Sequence, residues 1–252
     1  MTASPTMRRD AVLVASGRYH DIDYARAELL MHLGERMEIR TRVREDYADI
    51  GLLAASSMMI SYTCDVVATP EQVAGIRDWL SDGGRWFALH GTNSILRFTD
   101  DGRVDTPDEA PEFMQLLGSR FAAHPPIERY RVDVADPAHP LVRGIEPFEV
   151  TDEQYLAHLT APVHVLLDTW FEGETPRFVD SQWPGRRHPI FYLRRVGRGG
   201  ILYLTLGHCR GHHDMQPLTD WWPDVDRGSW EEPAFRELVR RGIGWAAGDG
   251  SI

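Results

Sequence analysis

Histidines that directly follow short apolar runs are the residues of this sequence best equipped for chemistry. Arg85-Trp86-Phe87-Ala88-Leu89 stops abruptly at His90-Gly91-Thr92-Asn93-Ser94, and Ile201-Leu202-Tyr203-Leu204-Thr205-Leu206 stops at Gly207-His208. An imidazole titrates near pH ~6.5, so it can take or give a proton at neutral pH, and it is also the commonest metal ligand. A buried parallel strand reads as a continuous apolar run, and open α/β sheets bind ligands at the carboxyl ends of their strands. His90 and His208 are therefore expected at one sheet edge as an acid/base pair, with His90 on a tight turn that Gly91 permits.

Other groups could join them. Of the eleven histidines, His20, His124, His212 and His213 also fall at strand ends or in adjoining loops. Asp152 and Glu153 are adjacent carboxylates close to Tyr155. In a regular strand they would point to opposite faces, whereas in a loop one could orient an imidazole while the other meets substrate. A divalent metal drawn from His90, His124, Glu153 and His208 is compatible with these types, although no ligand spacing demands it. His208 and His212 are four apart, which matters only on a helix, and Gly211 and Pro217 argue against a long one there. A Gly-x-Ser-x-Gly elbow, a Gly-x-Gly-x-x-Gly fingerprint and a phosphate-cradling lysine loop are all missing, so no nucleotide cofactor is expected.

The elements that must carry these residues follow from periodicity. Ala11-Val12-Leu13-Val14-Ala15 reads as a first parallel strand, and Ile22, Ala25, Leu29 and Leu33 recur at helical spacing after it. Met37 to Val43 alternates like an edge strand, and the apolar run Met58 to Tyr62 reads as a central one. Thr69-Pro70-Glu71-Gln72 combines an N-cap, a proline at the first helical position and a capping box. The strand before His90 follows at once, so the first ninety residues alternate strands and helices. The expected class is α/β, a doubly wound and mostly parallel sheet of flavodoxin-like type. Glu112 to Leu117 reads as a helix stopped by Gly118, and Asp100 to Asp108 as a loop. Strands are expected at Tyr130 to Val134 and Val163 to Leu167, and Gly197-Arg198-Gly199-Gly200 signals a hairpin. Phe235 to Ala247 closes the chain as an amphipathic helix.

Composition limits the partners. The 252 residues show no repeat or composition break, so one domain over 1–252 is expected. A formal charge of −11 disfavours nucleic acid and anionic membrane surfaces. No apolar run approaches the ~20 residues of a membrane span, and Met1 to Asp10 lacks the apolar segment of a leader, which points to the cytoplasm. Cys64 and Cys209 form no Cys-x-x-Cys motif and read as small buried hydrophobes.

These segments together resemble the ThuA-like family of trehalose-utilisation proteins, whose fold is similar to class I glutamine amidotransferases. The resemblance is carried by Gly83-Gly84 through His90-Gly91, Leu117-Gly118-Ser119-Arg120-Phe121 with His124-Pro125, and His139-Pro140. It continues in Thr151-Asp152-Glu153-Gln154-Tyr155, Leu206-Gly207-His208, Arg227-Gly228-Ser229-Trp230, Pro233-Ala234-Phe235 and Arg240-Arg241-Gly242-Ile243-Gly244-Trp245-Ala246. Amidotransferases carry a cysteine nucleophile at the elbow where this chain has His90-Gly91-Thr92, so the resemblance implies scaffold and site location but not glutamine hydrolysis. It further implies carbohydrate metabolism, with a trehalose-like glucoside or its 3-keto form as substrate. A ketone acidifies the neighbouring C–H, which a positioned histidine can deprotonate. On this reading His90, His208, Asp152 and Glu153 are catalytic, and Asn93, His124, Tyr155, Tyr19 and His20 contact the sugar. Tyr19, Trp221 and Trp222 could stack on sugar faces. A non-catalytic sugar-binding protein and a metal-assisted hydrolase stay open as alternatives, as does assembly with a second copy of the chain.

Overall fold

The computed structural model describes residues 8–250; residues 1–7, part of the segment searched above for a leader, and 251–252 lie outside the described residues. Strands Arg9–Gly17 (β1), Ile39–Arg44 (β2), Met58–Cys64 (β3) and Arg85–Leu89 (β4) alternate with helices Ile22–Gly34 (α1), Ile50–Ala54 (α2) and Pro70–Ser81 (α3). After the two-residue strands Arg97–Phe98 (β5) and Val104–Asp105 (β6) come helix Pro111–Leu117 (α4) and strand Ser119–Ala123 (β7). Glu128–Val134 (β8), Phe148–Asp152 (β9), Leu156–Leu159 (β10), His164–Glu174 (β11), Gln182–Val196 (β12) and Gly199–Leu204 (β13) follow, and Pro233–Ala246 (α5) ends the fold.

Nine strands form one mixed sheet in the order β2-β1-β3-β4-β13-β12-β11-β8-β9. The first five pair in parallel, the 2-1-3-4-5 order of a flavodoxin-like sheet, while β12, β11, β8 and β9 extend it antiparallel. Alternate residues of β1 serve two cores. Ala11, Leu13 and Ala15 pack under α1 and α5, while Val12 and Val14 pack under α2, α3 and α4. Helices thus cover both faces of the parallel half, which explains its unbroken apolar strands. The capping box at Thr69 and Gln72 is formed, and Gly118 ends α4 with φ 92°. The segment read as a loop from Asp100 to Asp108 contains β6, which pairs with β5 and bridges Phe178 through Val104, and is too short to leave a periodic signal.

Backbones approach one another closely where β1 meets β3. Gly17 has φ 127°, and a Cβ there would lie 2.1 Å from the Cys64 carbonyl oxygen. Gly17→Ala must therefore separate two central strands or change the φ, and is expected to cost about 3 kcal/mol or more. Thermal unfolding checks this; an unchanged melting temperature would show the strand end to be yielding. Among the described residues no helix is long and apolar enough to cross a membrane.

Candidate functional site

Three loops at the carboxyl edge of the parallel strands meet the end of β9. After β1, Tyr19 takes φ 67° and His20 follows, before Asp21 caps α1 by accepting from Tyr24 N at 3.0 Å. After β4, residues His90–Asn93 form a 3₁₀ turn. The left-handed residue there is His90 itself, with φ 44°, and not Gly91 as expected. Gly91 is needed for a different reason: a Cβ would come within 2.7 Å of the Thr63 carbonyl oxygen. A buried non-glycine residue in the left-handed region carries strain that the surrounding structure must maintain, as functional sites often do. After β13, Gly207 (φ 125°) turns the chain so that His208 points inward, and its carbonyl accepts from Tyr62 Oη and Trp230 Nε1, each at 2.8 Å.

The side chains of these loops, joined by His124 from the connection after β7, converge on Glu153. His90 Nε2 lies 3.5 Å and His20 Nε2 3.7 Å from Oε2, while His208 Nδ1 lies 3.1 Å and His124 Nε2 3.5 Å from Oε1. His20 and His90 face each other through their Nε2 atoms at 2.9 Å. Each far nitrogen is anchored: His90 Nδ1 donates to Thr205 O at 2.8 Å, His20 Nδ1 to Arg18 O at 3.1 Å, and His124 Nδ1 to Pro125 O at 2.6 Å. A nitrogen facing a carbonyl oxygen must carry the proton, so all three Nε2 atoms are lone pairs when these rings are neutral. His208 Nε2 lies 3.4 Å from Asp226. The ligand atoms of His20, His90, Glu153 and His208 all fall within 4.8 Å of one another, close enough to hold one ion.

Burial sets the electrostatics. His20, His90, Glu153 and His208 are each no more than 5% exposed, whereas the His124 side chain is 23% exposed and forms the rim. Burial drives the His20 imidazole down to about 3 and lowers that of His124, so both are neutral bases at physiological pH. Burial works against charge on His208 too, but Glu153 and Asp226 outweigh it and raise its imidazole to about 9. Burial would raise the carboxyl of Glu153, yet His208 and His124 hold it well below the ordinary range. Arg210, with Nη2 3.6 Å from Glu153 Oε1, adds a positive charge at the same edge.

Not every expected residue joins the cluster. Asp152 contacts no imidazole. Its carboxylate accepts the backbone N–H groups of Glu153, Gly207, His208 and Ser229 at 2.7, 3.0, 3.2 and 3.0 Å, which pins three segments together. In place of the catalytic role expected for Asp152, the structure shows a backbone clamp, because β9 turns its side chain onto backbone. Asn93 is buried with Nδ2 donating to Ser119 Oγ at 2.7 Å, and so is engaged away from the imidazoles. Tyr155 Oη approaches His90 Nε2 at 3.4 Å, with ring centroids 4.6 Å apart. Tyr19 packs edge-on against Phe98 and lines a neighbouring cleft of about 460 Å³ with Arg18, Asp65 and Arg97. Trp221 stacks on His212 at 4.0 Å, and Trp222 lies under the Arg210 guanidinium at 5.4 Å. Arg210 and Asp226 escaped the sequence reading because both lie in irregular chain, where they pair as an isolated bridge. Their available signal was position, one beside His208-Cys209 and the other beside Arg227-Gly228.

Burial holds both cysteines in the thiol form, pushing the Cys64 thiol well up and that of Cys209 to about 12. Native protein at pH ~8 is expected to resist a thiol-labelling reagent at both sites and to react fully once unfolded. Rapid native labelling of Cys209 would contradict this and reopen thiol chemistry.

Comparison with known proteins agrees with this architecture. A sequence model of the ThuA family, described as trehalose utilisation, matches residues 11–220. A putative ThuA-like protein from Parabacteroides merdae superposes with TM-score 0.67 at 14% identity, over 97% of this chain and 91% of that one. One from Bacteroides uniformis gives 0.65 at 15% identity, over 98% and 94%. The cold-adapted β-galactosidase of Rahnella sp. R3 shares the fold at TM-score 0.58 and 12% identity, with 98% of this chain matching 32% of the enzyme. No curated protein sequence matches the chain. A family match over most of the sequence, together with the shared α/β fold, decides the classification: the chain belongs to the ThuA trehalose-utilisation family.

Proposed function

We propose that this chain is an enzyme of carbohydrate metabolism that enolises the 3-keto derivative of a trehalose-like glucoside. The observation that carries the reading is the convergence of four imidazoles on one buried carboxylate at the carboxyl edge of the sheet. His124 is the group best suited to meet substrate, since it is the most exposed of the four and its Nε2 is an unprotonated base. In the step proposed, the C–H bond beside the ketone breaks, its proton passes to His124 Nε2, and the electron pair moves onto the ketone oxygen as an enolate. Glu153, 3.5 Å from that nitrogen, stabilises the imidazolium that forms. The Arg210 guanidinium supplies the positive charge that an enolate oxygen requires. His90 and His208, fully buried, act through Glu153 and not as the groups that first touch the sugar.

Proton NMR of 3-ketotrehalose in deuterated buffer tests the reading. The wild type is expected to exchange the acidified C–H for deuterium, and His124→Ala to slow this about 10²-fold or more. Equal rates in the two proteins would remove His124 from the role of base. Saturable sugar binding without exchange would replace the enzymatic reading by the sugar-binding one.

A further inference from the structure

We propose that His20, His90, His208 and Glu153 bind a single first-row divalent metal ion. Because His20 and His90 spend their Nδ1–H groups on the Arg18 and Thr205 carbonyls, their Nε2 atoms are both acceptors, yet they face each other at 2.9 Å with a carboxylate beside them. Acceptors brought so close repel unless a proton or a cation lies between them. His208 completes the set with both ring nitrogens buried and neither satisfied by a hydrogen bond.

The dimensions suit a metal. Bonds of ~2.0–2.1 Å to a common centre put neighbouring ligand atoms ~3.0 Å apart in an octahedral and ~3.4 Å apart in a tetrahedral arrangement. The observed separations are 2.9 Å between His20 Nε2 and His90 Nε2, 3.7 and 3.5 Å from these to Glu153 Oε2, and 3.1 Å from His208 Nδ1 to Glu153 Oε1. Each imidazole is also backed on its far side by an oxygen: Thr205 O for His90, Arg18 O for His20, and the Asp226 carboxylate, 3.4 Å away, for His208. Oxygens so placed fix the tautomer and orientation of metal-binding histidines and raise their basicity. Three imidazoles and one carboxylate select zinc, cobalt, iron, manganese or nickel over magnesium and calcium, which prefer all-oxygen sites. His124 and Arg210 approach the same carboxylate from the more exposed rim, outside the ligand set.

In catalysis the ion would polarise the ketone oxygen, and this role rests on the enolising reading; the site itself rests on geometry alone. The test therefore separates the two. The full chain, stripped with a chelator, is titrated without sugar, with Zn²⁺ by calorimetry and with Co²⁺ by visible absorption. One equivalent should bind, Co²⁺ should develop ligand-field bands, and Mg²⁺ should not compete. Glu153→Gln and His20→Gln should each weaken Zn²⁺ at least tenfold, Asp226→Asn should weaken it about 10–100-fold, and His124→Ala should leave it unchanged. Circular dichroism checks that the variants are folded, and the wild-type titration stands without them. Absence of wild-type binding, or binding indifferent to Glu153 and His20, overturns the site. Loss of binding in His124→Ala overturns this ligand set. Metal bound without any keto-sugar exchange keeps the site and removes the enolising reading, whereas full exchange by stripped protein overturns the catalytic role of the ion.

Discussion

Glu153→Gln is expected to lower keto-sugar exchange by about 10²–10⁴-fold while the melting temperature moves by only a few degrees. Glutamine has the size of glutamate, keeps one acceptor oxygen, and brings an amide donor to imidazole nitrogens that lack one. What it removes is the negative charge on which His20, His90, His124 and His208 converge. A carboxylate that is 4% exposed and surrounded by imidazoles is kept for what its charge does, since an apolar residue would fill that space at lower cost. The two readouts are the exchange rate by NMR and thermal unfolding by circular dichroism. Turnover near the wild-type level would sink the assignment of Glu153 to the chemistry.

Its neighbour behaves in the opposite way. Asp152→Ala is expected to destabilise the protein by roughly 4 kcal/mol or more, because four backbone N–H groups lose their common acceptor and each buried orphan costs about 1–3 kcal/mol. For a chain of this size that is a fall of about 10 °C or more in melting temperature. Activity should fall with it, since the turn carrying His208 and the end of β9 carrying Glu153 are held by the same carboxylate. Asp152→Asn should land between the two, because the amide keeps one oxygen but turns a donor toward other donors. Thermal melts of the three proteins decide the point; an Asp152→Ala variant as stable as wild type would show that water replaces the carboxylate and that the three segments hold without it.

The contrast between these adjacent carboxylates shows how far the linear sequence reaches. Both residues were legible as candidates, and the strand rule that adjacent side chains face opposite ways already separated them. Which one would face the imidazoles was decided by β9 pairing with β8 at the sheet's far edge, a contact between residues distant from His90 and His208 in sequence. His90 and His208 were legible for a stronger reason. An apolar run that stops at a histidine marks a buried strand leaving the core, and parallel strands leave it on one side. His20 and His124 were legible only as loop residues, and their unprotonated nitrogens depend on the carbonyls of Arg18 and Pro125, which no side-chain pattern records.

Local signals of the sequence alone determined the α/β class, the 3.6-residue faces of the long helices, the capping box at Thr69, the hairpin between β12 and β13, and the sheet edge on which His90 and His208 meet. These depend on short-range periodicity and on where hydrophobic runs stop. Tertiary structure alone decided that Glu153 and not Asp152 sits among the imidazoles, that His90 and not Gly91 adopts the left-handed turn, and that Arg210 and Asp226 join the site. Each of these follows from segments far apart in the chain competing for the same buried donors and acceptors, and that competition has no outcome until the sheet brings them together.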